Sequence, residues 1–198
     1  MAKGGQFERD ICHKLSLWWS GGKSDDIFWR TSGSGARATS RFKKGKATHG
    51  QHSDITHTHP SGAPFTDLFV TELKRGHNKT TLIEMIDTPK LVKSNLWWQW
   101  IRKVQNSVNA SGAMSWLLIH KRDGREEMIF FPDLVRELMA RAINGTKPLF
   151  CGQRVHYARC YDPCDHNTPP GLTTIYGMPL DEWLTTVTPD LVRKMATL

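Results

Sequence analysis

The first part of the chain carries apolar residues at helical spacing. Apolar side chains that recur about every three to four residues are typical of an amphipathic helix. Gly21 and Gly22 follow this pattern, and glycine commonly ends a helix. We therefore predict a first helix over residues 7–19. Its apolar face carries Phe7, Ile11, Leu15, Trp18 and Trp19.

Two short strand-like runs, residues 54–56 and 68–73, lie on either side of a segment rich in proline and glycine. That segment, residues 60–64, reads Pro-Ser-Gly-Ala-Pro. Strand-like runs joined by turn residues are typical of a β-hairpin. The sequence therefore predicts that these two runs pair with each other.

Further segments show similar patterns and complete the list of predicted elements. Residues 27–30 and 113–120 are typical of strands, residues 127–131 of a return strand after a turn, and residues 82–86 of a strand or short helix. Helical spacing covers residues 95–108, 133–143 and 180–195, the last broken by Pro189. This order favours an α/β or α+β layered fold.

Charged residues in the predicted hairpin form a candidate site. Glu72 and Lys74 are two residues apart on one strand, so both side chains point to the same face. Asp54, on the other strand, can lie beside them across the ladder. Two carboxylates brought together favour Mg²⁺ or Mn²⁺, which prefer oxygen ligands and take further ligands from water or phosphate. Lys74 would then orient an attacking water or neutralise charge on phosphorus.

Composition adds a basic balance and excludes some classes of protein. The chain has 198 residues, with 27 Lys and Arg against 19 Asp and Glu, a formal net charge of +8. A length near 200 suggests one domain, and a positive balance favours polyanionic partners. No apolar run reaches the ~20 residues of a membrane span, and the first residues lack the apolar stretch of a signal peptide. The four cysteines therefore suggest reduced thiols or metal ligands, and we expect a cytoplasmic protein.

A segment rich in Ser, Gly, Lys and Arg follows the strand at residues 27–30. Beside an acidic metal site, such a loop can clamp a phosphate backbone with amides, hydroxyls and cations. The alternative is a solvated linker, because a Gly-rich loop alone is weak evidence for phosphate binding. The loop contains no Walker motif. The same region holds His57 and His59, for which solvated positions at a strand end are favoured over a separate zinc site.

The chain after residue 147 has a different character. Cys151, Cys160, Cys164 and His166 follow one another with Cys-x8-Cys-x3-Cys-x-His spacing. Three thiols and a histidine can form a structural zinc site. Reduced, partly buried thiols are the favoured alternative, since no paired Cys-x2-Cys occurs. We predict a core over residues 1–146 and a C-terminal extension over residues 147–198.

An ordered set of motifs resembles the PD-(D/E)XK nuclease superfamily. It comprises Phe7-Glu8-Arg9 in the first helix, Arg30 followed by a Gly-Ser loop, Asp54-Ile55, and Glu72-Leu73-Lys74. The layout is most similar to archaeal-type Holliday-junction resolvases and related phage nucleases, and the resemblance covers about residues 4–120. Ser53 stands where the superfamily name has proline. The resemblance implies a restriction-endonuclease-like central mixed sheet flanked by helices, and Mg²⁺-dependent hydrolysis of DNA.

The resemblance also implies roles for individual residues. Asp54 and Glu72 would bind metal with the Leu73 carbonyl, and Lys74 would position the nucleophile. Glu8 would bind or orient a metal water, whereas without the resemblance it is more typical of a first-turn carboxylate favoured by the helix dipole. Ser34, or Ser32, would touch the scissile phosphate. Further contacts with DNA would come from Arg30, Arg37, Arg41, Lys43, Lys44, Lys46 and Arg75.

Three functions are therefore compared. The first is a DNA endonuclease acting on branched or duplex DNA; a resolvase that cuts two strands symmetrically would be a C₂ dimer. The second is a non-catalytic nucleic-acid-binding module with the same fold. The third is a zinc-stabilised interaction protein built around the C-terminal Cys/His region. The complete set of Glu8, Asp54, Glu72 and Lys74 favours the first.

Overall fold

The computed structural model describes residues 3–31, 52–80, 95–143, 156–161 and 172–198. Most of the elements predicted from periodicity are present. The helices within the described residues are α1 (Lys3–Ser20), α2 (Ala63–Leu68), α3 (Leu96–Ser111), α4 (Asp133–Ala142), α5 (Leu180–Thr186) and α6 (Pro189–Met195). A 3₁₀ turn at Pro60–Gly62 precedes α2.

The described strands form two sheets. A small antiparallel sheet consists of β1 (Phe28–Arg30) and β2 (Ile55–His57). The larger sheet consists of β3 (Phe69–Arg75), β4 (Ser115–Lys121), β5 (Glu127–Pro132), β6 (His156–Tyr161) and β7 (Leu172–Pro179). Its order is β3-β4-β5-β7-β6, with β3 and β4 parallel and the other neighbours antiparallel. The predicted mixed α/β fold is confirmed.

Helices cover both faces of the larger sheet. Side chains alternate between the two faces along a strand, so Leu117 and Ile119 of β4 enter one core while Trp116 and Leu118 enter the other. The first core is shared with α1, α2, α4, α5 and α6. The second is formed against α3, which buries Trp97, Trp98, Trp100, Ile101 and Val104.

The predicted hairpin is wrong. β2 pairs with β1, and the segment before β3 forms helix α2 rather than a strand end. Pro64 lies in the first turn of α2, where its fixed φ suits a helix. Phe65 and Leu68 lie three residues apart and are both buried. Burial of these two side chains on one helical face therefore replaces the tight turn that Pro and Gly suggested.

The described residues on the C-terminal side of position 147 contribute to the larger sheet and to the first core. β7 pairs with β5, and β6 pairs with β7. Trp183 of α5 and Val192 of α6 are fully buried in the first core. The proposed boundary between residues 146 and 147 stays a prediction. The predicted element at residues 82–86 lies outside the described residues, and none of the described helices is long and apolar enough to cross a membrane.

Candidate active site

The centre of the site is Glu72, in the middle of β3. Its side chain is only 1% exposed, and it lies on the face of β3 that also carries Lys74, as the period of two predicts. Lys74 Nζ donates to Glu72 Oε1. A second ammonium reaches the same oxygen, because Lys103 Nζ of α3 lies 2.5 Å from Glu72 Oε1. The buried carboxylate is therefore compensated by two cations from two different elements.

Lys103 was not among the residues singled out from the sequence. Its position follows from α3, which packs its buried Trp100 and Val104 against the sheet. Residues three apart lie on the same side of a helix, so Lys103 stands at the border of the face that carries Trp100. Burial alone would lower the pKa of Lys103, but the charge and hydrogen bond of Glu72 outweigh it and raise the pKa. Lys103 is therefore a charged member of the site.

Asp54 lies beside Glu72 at the start of β2. It is 8% exposed, and its Oδ2 accepts a hydrogen bond of 2.8 Å from the Leu73 backbone N–H. Burial raises the pKa of Asp54, and the negative charge of Glu72 raises it further. The Leu73 hydrogen bond and the two lysines act in the opposite direction. Glu72 thus lies close enough for its charge to oppose the ionisation of Asp54.

Glu8 approaches the site from α1. Its Oε2 lies 3.4 Å from Arg30 Nη1 of β1. Burial raises the pKa of Glu8, and the charge of Asp54 adds to that rise. Glu8 therefore borders Asp54. Over the part of the chain that the structure describes, no group of three or more His, Cys, Asp or Glu residues is arranged to hold a metal ion.

The chemistry of Asp54 and Glu72 fits a divalent cation. Both side chains are buried, and the negative charge of Glu72 opposes the ionisation of Asp54. A bound cation would favour the ionised form of Asp54. Only one Asp54 oxygen is used by the Leu73 N–H. Mg²⁺ is commonly bound by one or two carboxylates and keeps several waters, so it does not require a third acidic ligand.

Ser53, which stands in the place of proline, has a structural role of its own. Its Oγ accepts from Thr71 N (2.9 Å) and Ile55 N (3.2 Å), and it donates to Thr71 O (3.0 Å). Asp54 N also donates to Thr71 O, at 2.9 Å. These bonds connect the start of β2 to β3 where no continuous ladder runs, and they hold Asp54 beside Glu72. In the sequence, the hydroxyl residue immediately before Asp54 was the feature that could have indicated these hydrogen bonds.

The remaining predicted DNA contacts have different outcomes. Arg30 is paired with Glu8. Arg75 lies at the end of β3, where it pairs with Asp123 at 2.7 Å and donates to the Lys121 carbonyl at 3.1 Å. The predicted residues of the basic loop lie outside the described residues: Ser32, Ser34, Arg37, Arg41, Lys43, Lys44 and Lys46.

The histidine and cysteine predictions concern other parts of the molecule. His57 Nδ1 lies 2.7 Å from Thr66 Oγ1, and His59 is exposed and caps the 3₁₀ turn. Cys160 lies on β6. The other members of the predicted zinc set, Cys151, Cys164 and His166, lie outside the described residues, so that site stays a prediction.

A buried Asp that lies beside a Glu-x-Lys strand at the edge of a mixed sheet is typical of the class of PD-(D/E)XK nucleases. The comparisons with known proteins agree with this class. A family model described as "Phage putative PDDEXK endonuclease" matches residues 1–162. The chain belongs to this family, and the resemblance to the PD-(D/E)XK superfamily is confirmed. Searches of the curated proteins and of the solved structures gave no match.

Proposed function

We propose that this protein is a Mg²⁺-dependent DNA endonuclease that hydrolyses phosphodiester bonds. The observation that supports the proposal most strongly is the proximity of two buried carboxylates, Asp54 and Glu72. Lys74 and Lys103 lie beside them. Burying carboxylates next to each other destabilises a protein unless cations compensate their charge. Such an arrangement is typical of a functional site.

In the proposed mechanism Asp54 and Glu72 hold Mg²⁺ or Mn²⁺, together with the Leu73 carbonyl. The bound cation supplies Lewis-acid polarisation and charge neutralisation at phosphorus. Lys74 orients the attacking water, because its ammonium is fixed on β3 next to Glu72. Glu8, held by Arg30, orients water on the Asp54 side of the site. Phosphoryl transfer depends mainly on such positioning and on electrostatic stabilisation.

DNA recognition would use the basic loop and the positive balance of the chain. We propose that Ser34, or Ser32, contacts the scissile phosphate, and that the cations of the loop bind flanking phosphates. A Holliday junction is the proposed preferred structure. A C₂ dimer would place two copies of the site on two strands, and a measurement of the mass in solution tests this arrangement.

Cleavage assays with matched variants test the proposal. Plasmid and four-way-junction DNA are incubated with Mg²⁺ and the wild-type protein, Glu72→Ala or Lys74→Ala. Both variants are expected to lose at least about a hundredfold in rate, as removal of groups that stabilise a transition state commonly does. Glu137→Ala and Lys194→Ala make the same charge changes at exposed positions of α4 and α6, and they should retain activity.

The outcomes separate the candidate functions. Equal rates for Glu72→Ala, Lys74→Ala and the wild type would mean that the site is assigned wrongly. DNA binding by the wild type without cleavage of any DNA form, with Mg²⁺ or Mn²⁺, would favour the non-catalytic module instead. Metal analysis of the purified protein tests the separate proposal of zinc at the C-terminal cysteines.

A further inference from the structure

Two ammonium groups share one carboxylate oxygen in this site, and their surroundings differ. Lys74 and Lys103 both contact Glu72 Oε1. The side chain of Lys74 is 19% exposed, whereas that of Lys103 is 46% exposed. The two lysines are therefore not equivalent partners of Glu72.

Lys74 is held by its surroundings. It extends from the penultimate residue of β3, and its ammonium lies 6.0 Å from the centre of the Trp100 ring, within the range of a cation–π contact. Lys103 extends from α3 over a flexible four-carbon chain to reach the strand, with nearly half of its side chain in solvent. Lys103 is thus the ammonium that can leave Glu72 with little change in packing.

The charges of the site indicate when the Lys103 ammonium would leave Glu72. The two ammoniums already balance the negative charges of Glu72 and the neighbouring Asp54. A divalent cation bound by the same carboxylate would repel both ammoniums at short range. The more exposed ammonium then has the lower barrier to turning outward, and a DNA phosphate bound at the site offers it a new negative partner.

We propose that Lys103 is a second catalytic lysine, which releases Glu72 to the metal and then contacts a non-bridging oxygen of the DNA phosphate. This inference rests on the proposed nuclease function, and it assigns the two lysines different roles. Lys74 stays beside Glu72 and orients water. Lys103 exchanges the carboxylate for the substrate and stabilises the negative charge on the phosphate.

The test uses Lys103→Met, which removes the charge but retains much of the side-chain volume. Three quantities are measured: Mn²⁺ affinity without DNA by electron paramagnetic resonance, DNA affinity with Ca²⁺, and single-turnover cleavage at saturating Mg²⁺. Without the competing ammonium, Mn²⁺ should bind about three- to tenfold tighter, since a like charge has been removed from its site. Cleavage should nevertheless fall about tenfold or more, and DNA should bind more weakly.

Matched variants control for folding and for general charge. Arg102→Met removes the same charge from an exposed neighbour on α3 and should change each quantity by less than about twofold, because exposed charges are screened. Lys103→Arg keeps the cation and should retain most of the cleavage. Lys103→Gln keeps a polar contact with Glu72, and it replaces the Met variant if urea unfolding shows that the latter is not folded.

Opposite changes in metal affinity and cleavage rate are the expected signature. If Lys103→Met or Lys103→Gln cuts DNA at the wild-type rate, Lys103 is only a counter-ion of Glu72, and the inference fails while the nuclease function stands. Equal effects of Arg102→Met would also overturn it. If the wild type cuts no DNA, the proposed function fails and the inference fails with it.

Discussion

Ser16 provides a stability prediction whose size can be worked out from its hydrogen bonds. The hydroxyl is fully buried in α1. It donates to the Cys12 carbonyl at 2.8 Å and accepts from the backbone N–H groups of Ile27 (3.1 Å) and Phe28 (2.9 Å). One side chain thus satisfies two buried donors at the start of β1. We expect Ser16→Ala to leave both without that acceptor.

The expected loss follows from the number of donors. A buried N–H that loses its partner costs about 1–3 kcal/mol. Two such groups, partly relieved by small movements of the chain, give an expected loss of about 2–4 kcal/mol in the free energy of unfolding. The loss of stability should also affect the candidate site, because β1 ends at Arg30 and α1 carries Glu8. These two residues form one ion pair.

Urea unfolding of Ser16→Ala against the wild type measures this loss. Ser20→Ala is the matched control in the same helix, since Ser20 Oγ bonds only partly buried groups of Leu17 and Ser24. Water can replace those contacts, so a loss below about 1 kcal/mol is expected for the control. A loss for Ser16→Ala as small as that of the control would refute the assignment of Ser16 as the acceptor that holds β1 on α1.

Two further predictions concern pH and salt. Burial alone would raise the pKa of Glu127, but hydrogen bonds from Lys121 (2.8 Å) and Lys14 (2.6 Å) outweigh it and leave the pKa below its ordinary value. The stabilisation is therefore present above the unfolded-state pKa and lost as pH falls through the folded-state pKa. Glu127→Gln should be less stable than the wild type near neutral pH. If the difference in free energy of unfolding between the two proteins persisted in urea titrations at acid pH, this prediction would be contradicted. DNA affinity, measured with Ca²⁺, should fall steeply as salt rises, and a flat response would argue against phosphate contacts by the loop cations Arg37, Arg41, Lys43, Lys44 and Lys46.

Local periodicity was sufficient to predict the long elements. The apolar stripe of α1 and the stripe of α3 each extend over several turns, so the helical period is unambiguous. The short α2 could not be recognised in the same way. Its two buried residues, Phe65 and Leu68, lie among turn-forming residues, and so short an apolar run fits either a strand or a helix. The pairing of β2 with β1 then depended on contacts across the fold.

The candidate site also could be predicted only in part from local periodicity. Glu72 and Lys74 could be placed together because a strand has a period of two. Lys103 could not, since its contact with Glu72 depends on how α3 crosses β3 and joins residues 31 positions apart. A charge on a helix does not by itself reveal which strand lies beneath it.

Asp54 both connects two strands and places a buried negative charge beside Glu72. Its Oδ2 accepts the Leu73 N–H and its backbone N–H donates to Thr71, so it fastens β2 to the strand that carries Glu72. The same attachment buries Asp54 beside Glu72; burial, and then the negative charge of Glu72, raise the pKa of Asp54, so its ionised form disfavours the folded state. A fold selected for stability alone would place a neutral acceptor there, because Asn offers the same hydrogen bond without the charge. The charge at position 54 is therefore not required by the hydrogen bond alone, and it agrees with the proposal that the two carboxylates bind a cation.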